Sequence, residues 1–289
     1  MHKDKSQLVM KKIFDDPTPN GIINQRLIHH LITVLKDYAD IKDDDGRKFF
    51  EMLILIGKKL AAVWSHYHDY LSIEDRLIEA ARKNPITQEK KIVQIDYSQE
   101  LFFHFDEFLV QVKSCLDYLV KVPTVILGHS KWNLRTFGAK GNDVIKAIKN
   151  NVRGDYANMG KAVIYIIRQN QPWLEMTIEA RDKINHFLNG GINFEFFTVQ
   201  LIKNSEREQL RVPMWSNEQS IRQFMEIVWN NLFRFCEAFV VSWITFRLKK
   251  EFVFFHDAYD INSVKSPWTV ITQKDMEAII NKLGRKTIE

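Results

Sequence analysis

Apolar residues recur at every third or fourth position along most of the chain, which is the spacing that places them on one side of an α-helix. The longest uninterrupted case begins after Ser98, a residue type that caps helices, and runs until Pro123. We predict one long helix over residues 99–122. Its apolar stripe consists of Leu101, Phe105, Phe108, Val112, Leu116 and Leu119.

The same spacing predicts three helices before this one. The first covers residues 22–39 and the second covers residues 47–72. Ser72 is placed to cap a third helix that stops before Pro85, because the residue preceding a proline disfavours the helical conformation. Residues 86–97 look like a connection.

The middle of the chain alternates short periodic segments with breaks. Three glycines interrupt residues 124–141, which predicts an irregular connection. Residues 143–151 and 161–170 are predicted as short helices, although the β-branched residues of the second also suit a strand. A further helix covers residues 172–188.

The pattern changes towards strict alternation after this helix. Two alternating runs with a polar segment between them predict a β-hairpin over residues 192–215. Residues 220–250 are apolar around much of the helical circumference, which indicates a central helix. The tail, residues 251–289, combines an aromatic segment with a last helix around residues 274–283.

Composition agrees with this helical pattern. With 11 Gly and 7 Pro among 289 residues, the chain is poor in turn formers, which favours long helices. We expect an all-α fold, a multi-helix bundle with a small β-hairpin insertion. N-terminal helices (1–97) would pack on a helical core (98–250), followed by the aromatic C-terminal segment and helix (251–289). Together they would form one structural domain.

Charge and cysteine content restrict the setting in which the protein works. The net charge of +5 permits a polyanionic partner without arguing for one. Cys115 and Cys236 lie in apolar helical patterns, which favours buried thiols over a disulfide. No apolar run approaches the roughly 18 to 20 residues that cross a bilayer. We expect a soluble cytoplasmic protein that does not enter a membrane.

Several enzyme classes lack their minimum motifs in this chain. There is no GxGxxG segment, no P-loop and no GxSxG elbow. The neighbours His29 and His30 point about 100° apart on a helix, and His66 and His68 face nearly opposite ways. Neither spacing clamps a metal, so we predict no metal site and no cofactor.

The helix over residues 172–188 has two different faces when wound at about 100° per residue. Arg181 lies one turn before Asn185, and Asp182 lies one turn before His186. Both pairs share their side of the helix with Leu174 and Ile178, a mixture that is typical of an interface or a site. The opposite, core face consists of Met176, Phe187, Ala180, Trp173, Ile184, Thr177 and Leu188.

The polar residues of this helix form a coherent chemical set. His186 lies in the last turn, where the helix dipole favours its protonated form, and Asp182 is placed to orient the imidazole. Arg181 offers a planar fork that suits a phosphate. Because the set lacks a nucleophile, either the substrate or water must supply one, and RNA can do so with its 2′-OH.

The segment Arg181-Asp182-Lys183-Ile184-Asn185-His186 resembles the signature of the HEPN superfamily, an Arg and a polar residue followed by a His near the end of a helix. The upstream helix over residues 99–122 is similar to the long helix that precedes this signature. The resemblance implies a HEPN-like bundle and a homodimer whose signature helices meet to form a metal-independent endoribonuclease site. It implies Arg181 and His186 as catalytic residues, with Asp182 as the polar supporting residue. Such proteins often belong to toxin–antitoxin or phage-defence systems, so an antitoxin or activator protein would be a further partner beside the RNA substrate.

The amide side chain of Asn185 suits a supporting role beside Asp182.

Two alternatives to the enzyme remain open. In the first, the chain is a non-catalytic helical module that binds a nucleotide or a partner protein through the same helix face, with Leu174 and Ile178 in the contact. In the second, Arg181 and Asp182 are surface charges, and His186 merely caps the helix end.

Overall fold

The computed structural model shows a helical bundle with two small antiparallel sheets. The described residues are 14–83, 92–95, 98–128, 132–138, 140–185, 197–204, 207–216 and 219–286. Within these ranges the side chains are described except at residues 92–95, 155, 183, 185, 203, 204, 207 and 282–286.

The N-terminal part is helical, as predicted, but only partly α-helical. A 3-10 turn at Pro19–Gly21 is followed by a π-helix at Asn24–His30 and by helix α1 at Leu31–Tyr38. Asp16 accepts a hydrogen bond from the backbone N–H of Asn24 at 2.7 Å, which fixes the entry into these turns. The π-helix carries Arg26, whose side chain is completely buried.

Helix α2, Asp43–Lys83, is one continuous helix of 41 residues. The predicted break at Ser72 is therefore wrong. Tyr70 and Glu74, on either side of Ser72, are both buried, and Arg222 from a later helix bonds the carboxylate of Glu74. Packing on both sides of Ser72 outweighs the small propensity cost of one serine inside a helix.

Helix α3, Gln99–Leu119, confirms the prediction of a long helix with one apolar stripe. Ser98 caps it by accepting the backbone N–H of Leu101 at 3.3 Å, and all six residues of the predicted stripe are fully buried. The helix ends before Pro123, which instead occupies the first turn of α4, Val122–Leu127. Proline suits a first turn because it has no N–H to leave unpaired.

Helices α2 and α3 run antiparallel to each other. Lys59 donates to Gln111 at 2.8 Å, and Arg76 donates to Glu100 at 2.5 Å, so rising residue numbers on α2 face falling numbers on α3. This register brings the C-terminal half of α2 against the first turns of α3.

Helix α5, Asn142–Asn151, confirms the first of the two short helices. It begins directly after Gly141, whose φ of 68° lies in the left-handed region. A Cβ at Gly141 would come within 2.8 Å of the side chain of Ile167, so a larger residue meets both backbone strain and a steric clash.

Helix α6, Ala157–Asn185, runs through Pro172 without a break. The predictions of a separate element over residues 161–170 and of a helix start at Pro172 are therefore wrong. Asn170 donates to the carbonyl of Ile166 at 2.8 Å and accepts the indole N–H of Trp173 at 2.6 Å. These side-chain bonds bridge the turn that a proline leaves short of a backbone hydrogen bond.

The predicted hairpin is present and has a third strand. Strands β2, Val199–Asn204, and β3, Arg207–Arg211, pair antiparallel, with Leu201 opposite Leu210. Strand β1, Ile92–Ile95, pairs with the other edge of β2, although these residues were predicted to be a connection. Residues 192–196 and 205–206 of the predicted hairpin lie outside the described residues.

Helix α7, Ile221–Ile244, is the predicted central helix. Ser220 and Gln223 form a capping box at its start, and α2, α3, α4 and α6 all pack against it. Both cysteines are free and buried, as predicted, and Cys115 Sγ of α3 lies 3.7 Å from Cys236 Sγ of α7.

The C-terminal tail packs back on the bundle as a hairpin and a helix. Strands β4, Phe252–His256, and β5, Trp268–Thr272, pair antiparallel, and α8, Gln273–Lys286, confirms the predicted last helix. This hairpin was not predicted, because residues 257–267 join its strands in place of a tight turn. Phe254 and Trp268 pack against the main core.

The all-α prediction with a small hairpin insertion is thus confirmed by the architecture. Among the described residues, no helix combines the length and the apolar character that crossing a membrane requires.

Candidate functional site

The candidate site begins at the last turns of α6, where Arg181 and Asp182 lie side by side. Arg181 Nη1 is 3.4 Å from Asp182 Oδ1, and the two side chains are 37% and 50% exposed. An ion pair this long and this exposed contributes little to stability. Arg181 is therefore held at the surface without being fixed by a strong partner in the described part of the chain.

A second carboxylate, Asp106 of α3, acts electrostatically on Arg181 from across the seam between α3 and α6. Arg181 Nε and Asp106 Oδ1 are both shielded from solvent, and neither atom has a hydrogen-bond partner among the described residues. Burial raises the pKa of Asp106, as does the charge of Glu107, while the Arg181 charge opposes the shift. The seam thus contains a cation and a carboxyl group that both have unused hydrogen-bonding capacity.

The remaining two predicted site residues are only partly covered by the structure. Asn185 is the last residue of α6, and its side chain is not among those described. His186 lies outside the described residues. The predicted contact between Asp182 and His186 stays a prediction, whereas the placement of Arg181 and Asp182 in α6, shortly before its last described residue, is observed.

The expected second face of α6 is not open to a partner along its whole length. Leu174 is fully buried and Ile178 is 5% exposed, so both belong to the interior of this chain. On the other side, Trp173 and Ala180 are buried as predicted. The interpretation of Leu174 and Ile178 as a contact surface is therefore wrong, because α6 is wedged between other helices and buries two sides at once.

The histidines form a cluster that their spacing in the sequence did not predict. His66 Nδ1 of α2 lies 3.2 Å from His104 Nδ1 of α3, and His104 Nδ1 lies 3.7 Å from Asp69 Oδ2. Ligand atoms of all three residues lie within 4.8 Å of one another. The sequence-based exclusion of a metal considered only partners on one helix, and His66 instead meets a histidine on the neighbouring helix.

The environment of His66 differs from that of its neighbour His68. Burial lowers the pKa of His66, and the nearby His104 lowers it further, whereas Glu107 and Asp69 oppose the shift. His68 turns away from this cluster and lies against Trp64, with ring centroids 4.0 Å apart.

Two other arginines have very different surroundings from Arg181. Arg26 forms a bidentate pair with Glu237, at 2.8 Å from Nε to Oε1 and 2.5 Å from Nη2 to Oε2, with both side chains buried. Arg222 of α7 binds two carboxylates of α2, one from the buried Glu74 and one from the exposed Asp75. Both of these arginines join elements of the bundle.

Similarity to known proteins adds nothing to these assignments. No family model, no curated protein and no solved structure matches the chain. A function therefore has to be argued from the geometry around Arg181 and from the signature in which it lies.

Proposed function

We propose that the chain is a metal-independent endoribonuclease of the HEPN type. Arg181 would bind the scissile phosphate, and His186 would act as the general base or acid. Asp182 and Asn185 would hold the histidine and the RNA backbone in place. The single observation that supports this proposal most directly is the unused hydrogen-bonding capacity of the Arg181 guanidinium at the end of α6.

The guanidinium of Arg181 has more N–H donors than its observed contact uses. A guanidinium offers five N–H donors in a planar fork, and a phosphate takes two of them at once. Among the described residues, Arg181 makes one 3.4 Å contact with Asp182, and its Nε has no partner. Nε is shielded from solvent, so an anion would have to bind the terminal nitrogens of the 37% exposed side chain, and it would not have to break a strong ion pair to do so.

The proposed reaction needs no nucleophile from the protein. A base removes the proton from the RNA 2′-OH, the 2′-oxygen attacks the adjacent phosphorus, and the bond to the 5′-oxygen breaks as that oxygen receives a proton. The products are a 2′,3′-cyclic phosphate and a 5′-hydroxyl. The guanidinium of Arg181 would stabilise the charge that builds up on the phosphate oxygens, and His186 would carry the proton.

The resemblance to HEPN proteins also bears on partners. We propose a homodimer in which two copies of the α6 end face one RNA, since one copy supplies a single Arg–His set. A toxin or phage-defence role, with an antitoxin or an activator protein as a further partner, belongs to the same proposal. The burial of Leu174 and Ile178 limits such an interface to the end of the helix around Arg181 and Asp182.

The direct experiment is an RNA cleavage assay with purified protein in the presence of EDTA. We expect the wild type to cut single-stranded RNA and to leave 2′,3′-cyclic phosphate ends. His186→Ala and Arg181→Ala should each lower the rate by about 100-fold or more, because each removes a group that acts in the transition state. Growth arrest on expression of the wild type but not of His186→Ala would support the toxin role.

Arg168 provides a matched control on the same helix, because it is exposed and lies several turns before the site. Arg168→Ala removes the same charge and should cleave RNA at the wild-type rate. Unimpaired cleavage by His186→Ala would refute the assignment. Equal losses in Arg168→Ala and Arg181→Ala would show that only the general positive charge matters.

A further inference from the structure

The geometry of the seam between α2 and α3 points to a metal site that is independent of the proposed ribonuclease site. We propose that His66, Asp69 and His104 bind a divalent transition-metal ion such as Zn²⁺, which joins the C-terminal half of α2 to the first turns of α3. Two imidazoles and one carboxylate are a ligand set that suits Zn²⁺, Co²⁺, Ni²⁺ or Fe²⁺ and does not suit Mg²⁺ or Ca²⁺.

The distances fit one shared ion. Nitrogen ligands lie about 2.0 to 2.1 Å from Zn²⁺, so two of them at a tetrahedral angle are about 3.3 Å apart. The observed separation of His66 Nδ1 and His104 Nδ1 is 3.2 Å. Asp69 Oδ2 is 3.7 Å from His104 Nδ1, and a small side-chain rotation of this 58% exposed carboxylate brings it to the same ion.

Helix geometry prepares the three ligands. His66 and Asp69 are three residues apart on α2, which places them on adjacent turns of one face. The antiparallel register of α3 then supplies His104 directly opposite. His104 is 19% exposed and Asp69 is 58% exposed, so the ligands span the boundary between the core and the solvent. One side of the ion would remain open for water.

Charge also favours a dication at this point. The carboxylates of Asp69 and Glu107 are both close enough to act on His66. Gln111 donates to Glu107 at 3.3 Å, which fixes that carboxylate one turn after His104. The acidic side chains of Asp69 and Glu107 beside the two imidazoles therefore suit a positively charged ligand.

A direct hydrogen bond between the two histidines is the competing explanation. Two Nδ1 atoms that both carry lone pairs repel each other at 3.2 Å, so without a metal one ring must carry its proton on Nδ1 and donate to the other. With a metal, both rings carry their proton on Nε2 and both Nδ1 atoms coordinate. The two explanations differ in whether the site takes up an ion from solution.

The test uses untagged, full-length protein that has been stripped with EDTA and dialysed. Titration with Co²⁺ should give one bound ion per chain, with visible absorption bands of a low-symmetry site, and Zn²⁺ should displace it. Zn²⁺ should also raise the midpoint of thermal unfolding. His104→Gln and Asp69→Asn should each weaken binding by at least about tenfold and reduce the thermal shift, because each removes a ligand.

His68→Gln is the matched control, because His68 lies on the same helix and outside the cluster. It should bind Co²⁺ as the wild type does.

Because Asp69 is largely exposed, Asp69→Asn leaves the fold intact and keeps the test valid if His104→Gln unfolds. Absence of stoichiometric binding, or equal binding by the wild type and Asp69→Asn, would overturn the proposal. RNA cleavage in EDTA should not change in Asp69→Asn, so a failure of either proposal leaves the other testable.

Discussion

Arg26 and Arg181 differ in how far their hydrogen-bond donors are used by the rest of the bundle. Arg26 is fully buried, pairs through two bonds with the equally buried Glu237, and donates to the backbone carbonyls of Asp260 and Ser263 at 2.7 and 3.2 Å. Arg181 is partly exposed and has one 3.4 Å contact with Asp182 among the described residues. Both arginines lie on helices and both face a carboxylate. Only the guanidinium of Arg26 has its N–H donors taken up by short hydrogen bonds.

The difference separates a structural role from a candidate functional role. The donors of Arg26 are used up in joining the π-helix, α7 and the C-terminal segment, so no ligand can take them without breaking the fold. A group that binds substrate needs donors that are free before the substrate arrives. Hydrogen-bond saturation therefore argues against Arg26 as a ligand-binding residue, and it leaves the proposed role of Arg181 open to test.

The largest expected loss of stability follows from breaking the buried pair between Arg26 and Glu237. Glu237→Gln leaves the Arg26 charge buried without a counter-charge, and we expect the free energy of unfolding to fall by about 3 to 5 kcal/mol. Urea unfolding, with the midpoint and the slope both fitted, measures this. The double variant Arg26→Met with Glu237→Leu should recover much of the loss, because it removes both charges together. A loss below about 1 kcal/mol in Glu237→Gln would contradict the structural role of the pair.

An intermediate effect is expected at Arg222. Its partner Glu74 is buried, whereas Arg222 is 34% exposed and Asp75 is mostly exposed. Burial raises the pKa of Glu74, and the bonds from Arg222 oppose that shift. Arg222→Gln should lower the free energy of unfolding by about 1.5 to 3 kcal/mol, because a buried carboxyl group loses its charged donor. In urea unfolding, the loss of free energy in Arg222→Gln should lie between the losses in Glu237→Gln and Arg181→Gln. A different order would contradict the link between hydrogen-bond saturation and structural role.

The smallest effect on stability is expected at Arg181. Arg181→Gln should change the free energy of unfolding by no more than about 0.5 kcal/mol, because the contact with Asp182 is long and exposed. The same variant should nevertheless lose RNA cleavage, which separates stability from function. Unfolding curves and cleavage rates measured on one preparation give both numbers. A destabilisation above about 2 kcal/mol would place Arg181 with the structural arginines.

The parts of the fold that were predicted correctly are those in which local signals agree. In α3, the Ser98 cap and the apolar stripe specify the same helix, and the prediction holds at its start. In α6, Pro172 disfavours a continuous helix. The helix nevertheless continues, because Asn170 and the buried Trp173 support the turn. Ser72 in α2 is a comparable case, since packing of its neighbours overrides a local capping signal.

The candidate site was predictable only in part. Helical periodicity placed Arg181 and Asp182 one after the other on a helix, where they are found. It also grouped Leu174 and Ile178 with them as an open face, although both are buried by other helices. A helical wheel shows that a second apolar face exists but cannot show whether the same chain or another molecule covers it.

The sequence by itself determined which segments are helical and which polar residues share a helix turn, because both depend on spacing within a few residues. The tertiary structure alone decided which helices meet. His66 and His104 are 38 residues apart in the chain, and only the register of α2 against α3 brings their imidazoles to 3.2 Å. That register depends on the summed packing of many side chains along two helices, which no local pattern contains.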